Sequence, residues 1–379
     1  MKPPSVFTWL GMAAVLGLHL LPARTQSRPA PPRFRVSAPV TVAPTSSLPN
    51  HRVEDLGGGV ASVHVASLCE PAPGQLAAAW YGGSREGAKD VAVFFSRRDA
   101  RGWSSAVPVV TAESARRELG HYVRKVGNAV LFADAQGKLS LLYVAIALGG
   151  WSGSSLALKE STDLGQTWTP SRRLILSPFF NISTLVKNGA TPLENGGWAV
   201  PIYQELFGKF PEILWLQERT GTPTAVRTRV FGGRTAFQPA LVALDAQNAL
   251  MLCRTASEQR DLFATRSADG GQTWSAPQPT GLPNSDSGVD AIRLHDGRLL
   301  LAFNDTNSGR ANLRLAISPD GGTTWQRGPY LEQEPDTEFS YPFLVQARDG
   351  EIHLAYTWKR RAIRVVSFNA SWLDARLPK

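Results

Sequence analysis

Three carboxylates stand in the same local context and are the first candidates for chemistry. Asp163, Asp269 and Asp320 each occupy the third position of the pattern S-x-D-x-G-x-T-W. An Asp at such a place accepts backbone N–H bonds in a tight turn, Gly allows a positive φ, and Trp packs its ring over the turn. We therefore expect these three carboxylates to fasten turns and to take no part in catalysis.

The spacing of these turns indicates the architecture that must position any functional residue. The third copy follows the second by 51 residues, and the second follows the first by 106, about two periods. Worn copies are expected at 96–103 and near 215–221. Repeats of this length made of short strands are typical of propeller blades. The sequence predicts an all-β fold, a six-bladed β-propeller, with blades at about residues 55–104, 122–170, 180–222, 236–276, 287–327 and 338–370.

The first fifty residues differ in composition from the rest. Lys2, the apolar run over 6–21 and the small residues after it predict an export signal at residues 1–27. Residues 28–50 are rich in Pro, Ser, Thr and Ala and predict a linker or strap, so the propeller is expected at 51–379. We expect a secreted or periplasmic protein without integral membrane association, and an uncleaved signal anchor is the alternative.

Charge and composition argue against several classes of function. The 379 residues include 40 Lys and Arg against 31 Asp and Glu, a net charge of +9, but no basic run or stripe that would indicate nucleic-acid binding. The His and Cys residues lack metal-ligand spacing and no Gly-rich phosphate loop occurs, so we expect neither metal nor cofactor. Cys69 and Cys253 are expected to be buried and unbridged. A small anionic ligand suits the charge better than a nucleic acid.

The boxes on a six-bladed plan, together with Tyr81-Gly-Gly-Ser-Arg85-Glu-Gly, resemble the sialidase (neuraminidase) superfamily in its bacterial branch with BNR/Asp-box repeats. The resemblance covers about residues 60–370. It implies the fold strongly and the activity weakly, because many propellers that carry such boxes have other functions.

The resemblance implies a set of arginines that grip the carboxylate of an acidic sugar. Arg85, five residues before Asp90, matches the first-blade arginine, and Arg254 and Arg310 match those of the fourth and fifth blades. A guanidinium fork binds a carboxylate through two parallel hydrogen bonds and so fixes its plane. Asp90 is then expected to protonate the leaving oxygen and later to activate water. A surface ion pair is the alternative for Arg85 and Asp90.

The resemblance also implies a tyrosine nucleophile on the last blade, and Tyr341 has the family's position before a strand and a D-G turn. A neutral phenol approaches an acidic sugar without the repulsion that a carboxylate nucleophile would meet. A core tyrosine with a satisfied hydroxyl is the alternative interpretation.

Two residues depart from the family pattern. His64 stands where sialidases carry a further arginine of the grip, and Gln238 stands where a Glu normally polarises the tyrosine. An amide is no base for a phenol, so another group must serve. Glu205 is the first candidate, with Glu338 and Glu86 next. His64 itself is expected to bind a carboxylate, to act as a base, or to be a buried structural histidine.

Further polar residues are predicted along the same rim. Asp290 is a second possible acid, Asn128 begins the second blade, and Trp151 lies in a Gly-rich loop suited to stacking on a sugar ring. The leading hypothesis is an exported exo-glycoside hydrolase that releases a terminal acidic sugar, sialic acid or a related ulosonic acid, with retention. The alternatives are a propeller that binds acidic glycans without turnover and a hydrolase or lyase of uronic-acid glycans.

Overall fold

A computed structural model of the chain describes residues 32–39, 48–57, 59–177, 181–217, 224–232 and 234–378. The predicted export signal at 1–27 lies outside the described residues. So do most of the worn box expected near 215–221 and parts of the predicted strap.

Six antiparallel sheets, each of four or five strands, make up the fold, and they are the six predicted blades. The chain enters along β1 (His51–Leu56), which belongs to the last blade. The strands then follow in chain order, blade by blade: β2 (Ser62–Ala72), β3 (Gln75–Gly83), β4 (Ala92–Asp99), β5 (Gly102–Trp103) and β6 (Val107–Thr111); β7 (Lys125–Ala133), β8 (Leu139–Ile146), β9 (Ser154–Ser161) and β10 (Arg172–Arg173); β11 (Leu185–Val186), β12 (Thr191–Pro192), β13 (Trp198–Gln204), β14 (Phe210–Gln217) and β15 (Thr224–Arg229); β16 (Ala236–Ala243), β17 (Ala249–Thr255), β18 (Asp261–Ser267) and β19 (Gln278–Pro283); β20 (Asp290–Arg293), β21 (Leu299–Phe303), β22 (Asn312–Ser318) and β23 (Gln326–Gln333); β24 (Phe339–Gln346), β25 (Ile352–Trp358) and β26 (Ala362–Phe368).

The apolar core lies between neighbouring sheets, which explains why the inner strands are buried along most of their length. Strands covered on both faces read as nearly continuous apolar runs rather than as alternating ones. Two helices of the described residues, α1 (Ala112–Leu119) and α2 (Ala370–Asp374), lie outside this ring of sheets. Thr111 and Ser114 form a reciprocal capping box at the start of α1.

The ring closes within the sixth blade. Strand β1 pairs antiparallel with β26 from His51 opposite Phe368 to Leu56 opposite Ile363. The predicted start of the first blade at residue 55 and the predicted range of 338–370 for the sixth are therefore wrong, because β1 belongs to the sixth blade. We call this pairing of β1 with β26 the seam. Strand pairing thus joins the two ends of the described propeller, and no local pattern in β1 indicates which blade it joins.

The repeated boxes lie between the third and the outermost strand of blades two, four and five. In the first box, Asp163 accepts hydrogen bonds from Thr167 through both its backbone N–H and its hydroxyl, and these bonds lower its pKa to about 2. Asp269 and Asp320 make the same contacts in their own boxes. The turn-fastening role is confirmed. The predicted blade ends at the box tryptophans are too early, because the outermost strands β10, β19 and β23 come after the boxes.

Part of the predicted strap packs onto the propeller. Phe34 is fully buried, bridges to Leu193 and packs against Trp215, and its backbone N–H donates to the carbonyl of Ala246. The compact unit accordingly begins at Arg33 and runs to Lys379. Cys69 and Cys253 are free and buried on strands β2 and β17, as predicted.

Candidate active site

The inner strands of all blades begin at one end of the central channel and finish at the other. Their starts surround a cavity of about 150 Å³, and their ends surround a larger one of about 740 Å³. In an antiparallel sheet the third strand runs parallel to the first, so the boxes lie at the far end, away from the smaller cavity. The smaller cavity is lined by Tyr81, Glu86, Asn128, Trp151, Tyr203, Glu205, Lys209, Phe237, Gln238, Arg254 and Tyr341.

Each blade has a non-glycine residue with positive φ near the start of its inner strand, either inside the strand or shortly before it. These residues are Val65, Asn128, Ser183, Gln238, Asp286 and Tyr341. In four blades the strand register shifts at this point, which marks a β-bulge. Bulges re-aim side chains next to active sites, and each such strained residue costs of order 1–3 kcal/mol. Three of the six, Asn128, Gln238 and Tyr341, line the smaller cavity.

The structure brings Tyr341 together with Arg254, Arg310 and His64. The Tyr341 hydroxyl accepts a hydrogen bond from Arg254 Nη1 at 3.3 Å. The guanidinium of Arg310 lies over the Tyr341 ring, 5.1 Å from its centroid, and the His64 ring meets it edge-on at 4.7 Å. Two guanidinium groups at one tyrosine put positive charge beside its ring and its hydroxyl, which suits an anionic ligand there.

Gln238 connects the Arg254 guanidinium to the Tyr203 phenol through its amide. Its Oε1 accepts from Arg254 Nη1 at 3.0 Å, and its Nε2 donates to the Tyr203 hydroxyl at 3.2 Å. Asn128 Nδ2 donates to the same hydroxyl at 3.3 Å. An amide suits this place because one end accepts while the other donates. The arrangement leaves Gln238 without any capacity to take a proton from Tyr341.

A third arginine, Arg360, completes what we call the arginine cluster (Arg254, Arg310 and Arg360). Arg360 donates to Glu338 and Glu86 at 2.6 Å each, and Arg310 donates to Glu338 at 3.2 Å. Arg254 donates to Asp286 at 2.7 Å. Three guanidinium groups therefore face three carboxylates.

Sequence reasoning missed Arg360. It lies in the turn directly after β25, the second strand of its blade, at the cavity end of the channel where Arg254 and Arg310 also lie. Both Lys359 and Arg360 have positive φ, as in a type I′ turn. The position of an arginine after the second strand of a blade is the signal that points to it.

Two carboxylates that pair with the arginine cluster, Glu338 and Glu86, are poor proton acceptors. Burial opposes ionisation of Glu338, but hydrogen bonds from Arg360 and Ser340 outweigh it and lower its pKa to about 2. The pKa of Glu86 is also lowered, because the bond from Arg360 and the neighbouring charges overcome its burial. A carboxylate held this strongly in its ionised form takes up a proton only in acid.

His64 is buried between the rings of Tyr81 and Tyr341. Burial and the nearby charge of Arg360 lower its pKa to about 3, so the imidazole is neutral at ordinary pH. Its Nε2 lies 3.9 Å from Glu86, and neither ring nitrogen has a hydrogen-bond partner among the described residues. A neutral imidazole at this place cannot replace the cation of an arginine.

Glu205 combines access to the cavity with a raised pKa. It lines the cavity at the end of β13, and its backbone N–H donates to Ser183 Oγ at 2.8 Å. Burial raises its pKa, although Lys209 and Arg254 oppose the shift. A carboxyl whose pKa rises towards neutrality is suited to proton transfer.

Some predicted residues do not line this cavity: His64 and Arg310, which lie against Tyr341, and Arg85, Asp90 and Asp290. Arg85 and Asp90 are exposed on the loop between β3 and β4, and Asp90 accepts hydrogen bonds from Ser84 at 2.8 and 2.9 Å that lower its pKa. Asp290 lines the larger cavity at the other end, where burial raises its pKa to about 6. At the cavity end, blade five instead supplies Asp286. Trp151 lines the smaller cavity as expected of a stacking platform.

The chain forms a six-bladed propeller with Asp boxes at one end and arginines around a tyrosine at the other. It belongs to the family of the BNR repeat-like domain, whose sequence profile matches residues 74–354. A search of curated proteins finds no significant match to this chain.

Solved structures with the same fold include sialidases. The Hadza microbial sialidase Hz136 is 16% identical, with a TM-score of 0.70 over 83% of this chain and 67% of that one. The leech intramolecular trans-sialidase, solved with 2,7-anhydro-Neu5Ac, is 15% identical, with a TM-score of 0.67 over 84% and 69%. A protein of unknown function from Dyadobacter fermentans is 14% identical, with a TM-score of 0.67 over 85% of this chain and 100% of that one. At these identities the likeness establishes the fold.

Two features are absent from the described residues: a metal-binding cluster and a membrane-spanning helix. No group of three or more His, Cys, Asp or Glu side chains in them has an arrangement that would hold a metal ion. Within the same part of the chain, no helix has the length and apolar character needed to cross a membrane.

Proposed function

We propose that the protein is an exo-glycoside hydrolase of sialidase type that releases a terminal acidic sugar with retention. The observation that carries the proposal is the placement of Tyr341 with its hydroxyl 3.3 Å from Arg254 Nη1 and its ring under the Arg310 guanidinium. Two cations at one tyrosine favour an anionic ligand beside this nucleophile.

The size of the cavity supports an exo-acting enzyme. Its volume of about 150 Å³ lies below the roughly 300–1,000 Å³ of pockets for drug-sized ligands, so it suits one ring-sized terminal group. Trp151 and Phe237 in its wall offer apolar faces, and Arg254 and Lys209 offer donors. A terminal sugar carrying a carboxylate matches this combination.

The reaction needs a proton acceptor for Tyr341, and we propose Glu205, which lines the same cavity, for this role. As Tyr341 Oη attacks the anomeric carbon, its proton passes to Glu205 and the glycosidic C–O bond breaks. In the second step water attacks the same carbon, the bond to Tyr341 breaks, and Tyr341 recovers its proton from Glu205. The raised pKa of Glu205 and its place in the cavity support this assignment.

The leaving oxygen needs a proton in the first step and the attacking water must lose one in the second. Asp90 remains our proposal for both transfers, since its loop borders the cavity end of the channel, where an aglycone would leave. Asp90 accepts hydrogen bonds from Ser84, and its pKa is lowered. The role therefore requires the carboxyl to break these hydrogen bonds and to contact the substrate. Arg85 on the same loop is proposed to contact the aglycone side.

Capture of acidic glycans without turnover is the second candidate, and one observation favours it. Every arginine of the cluster already pairs with a carboxylate, and Gln238 cannot act as a base. An incoming acidic group must compete with Asp286, Glu338 or Glu86 for its guanidinium. Such a site would hold a ligand through the donors that remain, without activating Tyr341.

Export of the protein is also part of the proposal. It rests on the positive start and apolar run within residues 1–27. Sugars at the ends of extracellular glycans would then be within reach.

The deciding experiment is hydrolysis of a fluorogenic α-sialoside by the wild-type protein and by Tyr341→Phe. We expect release by the wild type and a loss of about 10³-fold or more in kcat for the variant, as for other enzymes that lose their nucleophile. Tyr330→Phe, an exposed tyrosine on β23, is the matched control and should keep full activity. Equal release by wild type and Tyr341→Phe would overturn the proposal, whereas binding of free sialic acid with no release would favour the second candidate.

A further inference from the structure

Two buried polar residues that follow β11 in the third blade have no role in the reaction outlined above. Lys187 and Asn188 are each 1% exposed, and neither lines the smaller or the larger cavity. A buried ammonium is costly unless every donor is used and an opposite charge is near. The contacts of this pair therefore indicate what the fold gains from it.

The pair reaches from its own blade to the neighbouring blade four and to blades five and six. Lys187 Nζ donates to the carbonyls of Pro342 at 2.6 Å and Val289 at 2.9 Å, and to Asn188 Oδ1 at 2.6 Å. All three ammonium donors are thus used. Asn188 Nδ2 donates to the carbonyls of Pro239 at 2.8 Å and Gln238 at 3.3 Å.

The prolines in these contacts directly follow Gln238 and Tyr341, two of the three residues with positive φ that line the smaller cavity. Gln238 precedes Pro239 and Tyr341 precedes Pro342, and their φ values are +48° and +54°. A residue before proline is normally extended with negative φ, so both backbones are held in a conformation that their neighbours disfavour. Such strain persists only where the surroundings over-determine it.

The register of the inner strands explains why these carbonyls need donors. The pairing of β16 with β17 jumps from Phe237 to Ala240, and the pairing of β24 with β25 jumps from Ser340 to Phe343. The carbonyls within each jump are withdrawn from the ladder and buried. Donors from Lys187 and Asn188 replace the missing partners.

We infer that Lys187 is a positioning residue: together with Asn188 it holds the bulges of blades four and six and so fixes where the Tyr341 hydroxyl and the Gln238 amide stand in the cavity. The charge of Lys187 is balanced by Asp290, which is buried and bonded to the backbone of Leu344, and opposed by Arg254. The effect of Lys187 on turnover rests on the proposed function, but its effect on Tyr341 does not.

The test is the environment of Tyr341 in Lys187→Met. Methionine keeps the unbranched side chain to within one atom of its length and removes the charge and all donors. The protein is labelled with 3-fluorotyrosine, and the ¹⁹F resonance of Tyr341 is assigned by its loss in Tyr341→Phe. Lys159→Met is the matched control, because Lys159 is also buried but pairs with Glu118 at 2.9 Å between α1 and β9.

We expect the Tyr341 resonance to move in Lys187→Met and to stay in place in Lys159→Met, while the Tyr330 resonance stays in place in both. If the wild type turns over a sialoside, kcat should fall about 100-fold in Lys187→Met with KM within about threefold, the effect of misplacing a reacting group by about 1 Å. A folded Lys187→Met with an unmoved Tyr341 resonance overturns the inference. Movement of the resonance in a protein without turnover supports the inference and counts against the proposed function alone.

A second variant keeps the test decisive if Lys187→Met does not fold. Lys187→Met combined with Asp290→Asn removes the unpaired buried charge but still leaves the carbonyls of Val289 and Pro342 without their donor. The Tyr341 resonance should move in this variant as well. An unmoved resonance in it would also overturn the inference.

Discussion

Gln238 and Tyr341 accept hydrogen bonds from one nitrogen, Nη1 of Arg254, at 3.0 and 3.3 Å. The Gln238 amide therefore shares its hydrogen-bond donor with the Tyr341 hydroxyl. A carboxylate at this position would be able both to accept from Arg254 and to take the proton of Tyr341.

We expect Gln238→Glu to increase hydrolysis of an α-sialoside by about tenfold or more, because it supplies a base beside Tyr341. The measurement is kcat/KM for the variant and the wild type. Gln238→Met, which also removes the amide but offers no base, is the control and should not gain activity. An unchanged kcat/KM in Gln238→Glu would show that a base at this position is not what the site lacks.

Replacement of Glu205 should change the pH profile as well as the rate. If Glu205 takes the proton from Tyr341, kcat/KM of the wild type rises as pH rises through the raised pKa of Glu205, because only the ionised form accepts. Glu205→Gln should lose this limb and about 10²- to 10⁴-fold in kcat. If the rise of kcat/KM with pH remained in Glu205→Gln, it would belong to another group. Glu194→Gln, in an exposed ion pair with Arg33, serves as the control.

Glu338 should make stability depend on acid. Its pKa in the folded protein is about 2, below the ordinary 4.5, so its contribution to stability is present above about pH 4.5 and is lost as pH falls towards 2. The difference in Tm between wild type and Glu338→Gln should therefore be largest near pH 6 and shrink towards pH 3. Glu334→Gln, a carboxylate half exposed beside Lys359, should show little difference at any pH. A constant difference across this range for Glu338→Gln would contradict the assignment.

The seam strand β1 should hold the ring closed. A chain that starts at residue 58 lacks the six residue pairs between β1 and β26 and exposes the edge of the sixth blade. We expect its Tm to fall by about 10 °C or more relative to a chain that starts at residue 48, at about 2–4 °C per kcal/mol. Differential scanning calorimetry of the two chains isolates β1 from the preceding strap. Equal Tm values would mean that the seam adds nothing.

The sequence predicted the ring and most of the tyrosine site, because both depend on local patterns. The boxes around Asp163, Asp269 and Asp320 repeat at a blade period, and the resemblance to sialidases indicated Tyr341, Arg254 and Arg310. The structure brings these three side chains into contact.

The sequence alone did not indicate residues whose role depends on contacts with partners far away along the chain. Arg360 matters through Glu86, 274 positions away, and the carbonyl that Lys187 binds at Pro342 is 155 positions away. Asp290 was assigned to the rim because it opens an inner strand, but the rim position of that blade belongs to Asp286. Neither Arg360 nor Lys187 carries a local signal as strong as a box.

The Asp boxes and the cavity lie at opposite ends of the propeller, and this separation affects how such a protein can change. Loops at the cavity end can lengthen, shorten or exchange side chains without touching the turns that fasten each blade. A lineage can therefore acquire a new specificity, or lose catalysis, at little risk to folding. His64 and Gln238, where the resemblance led us to expect an arginine and a glutamate, lie at the cavity end, away from the three boxes whose Asp side chains fasten the turns.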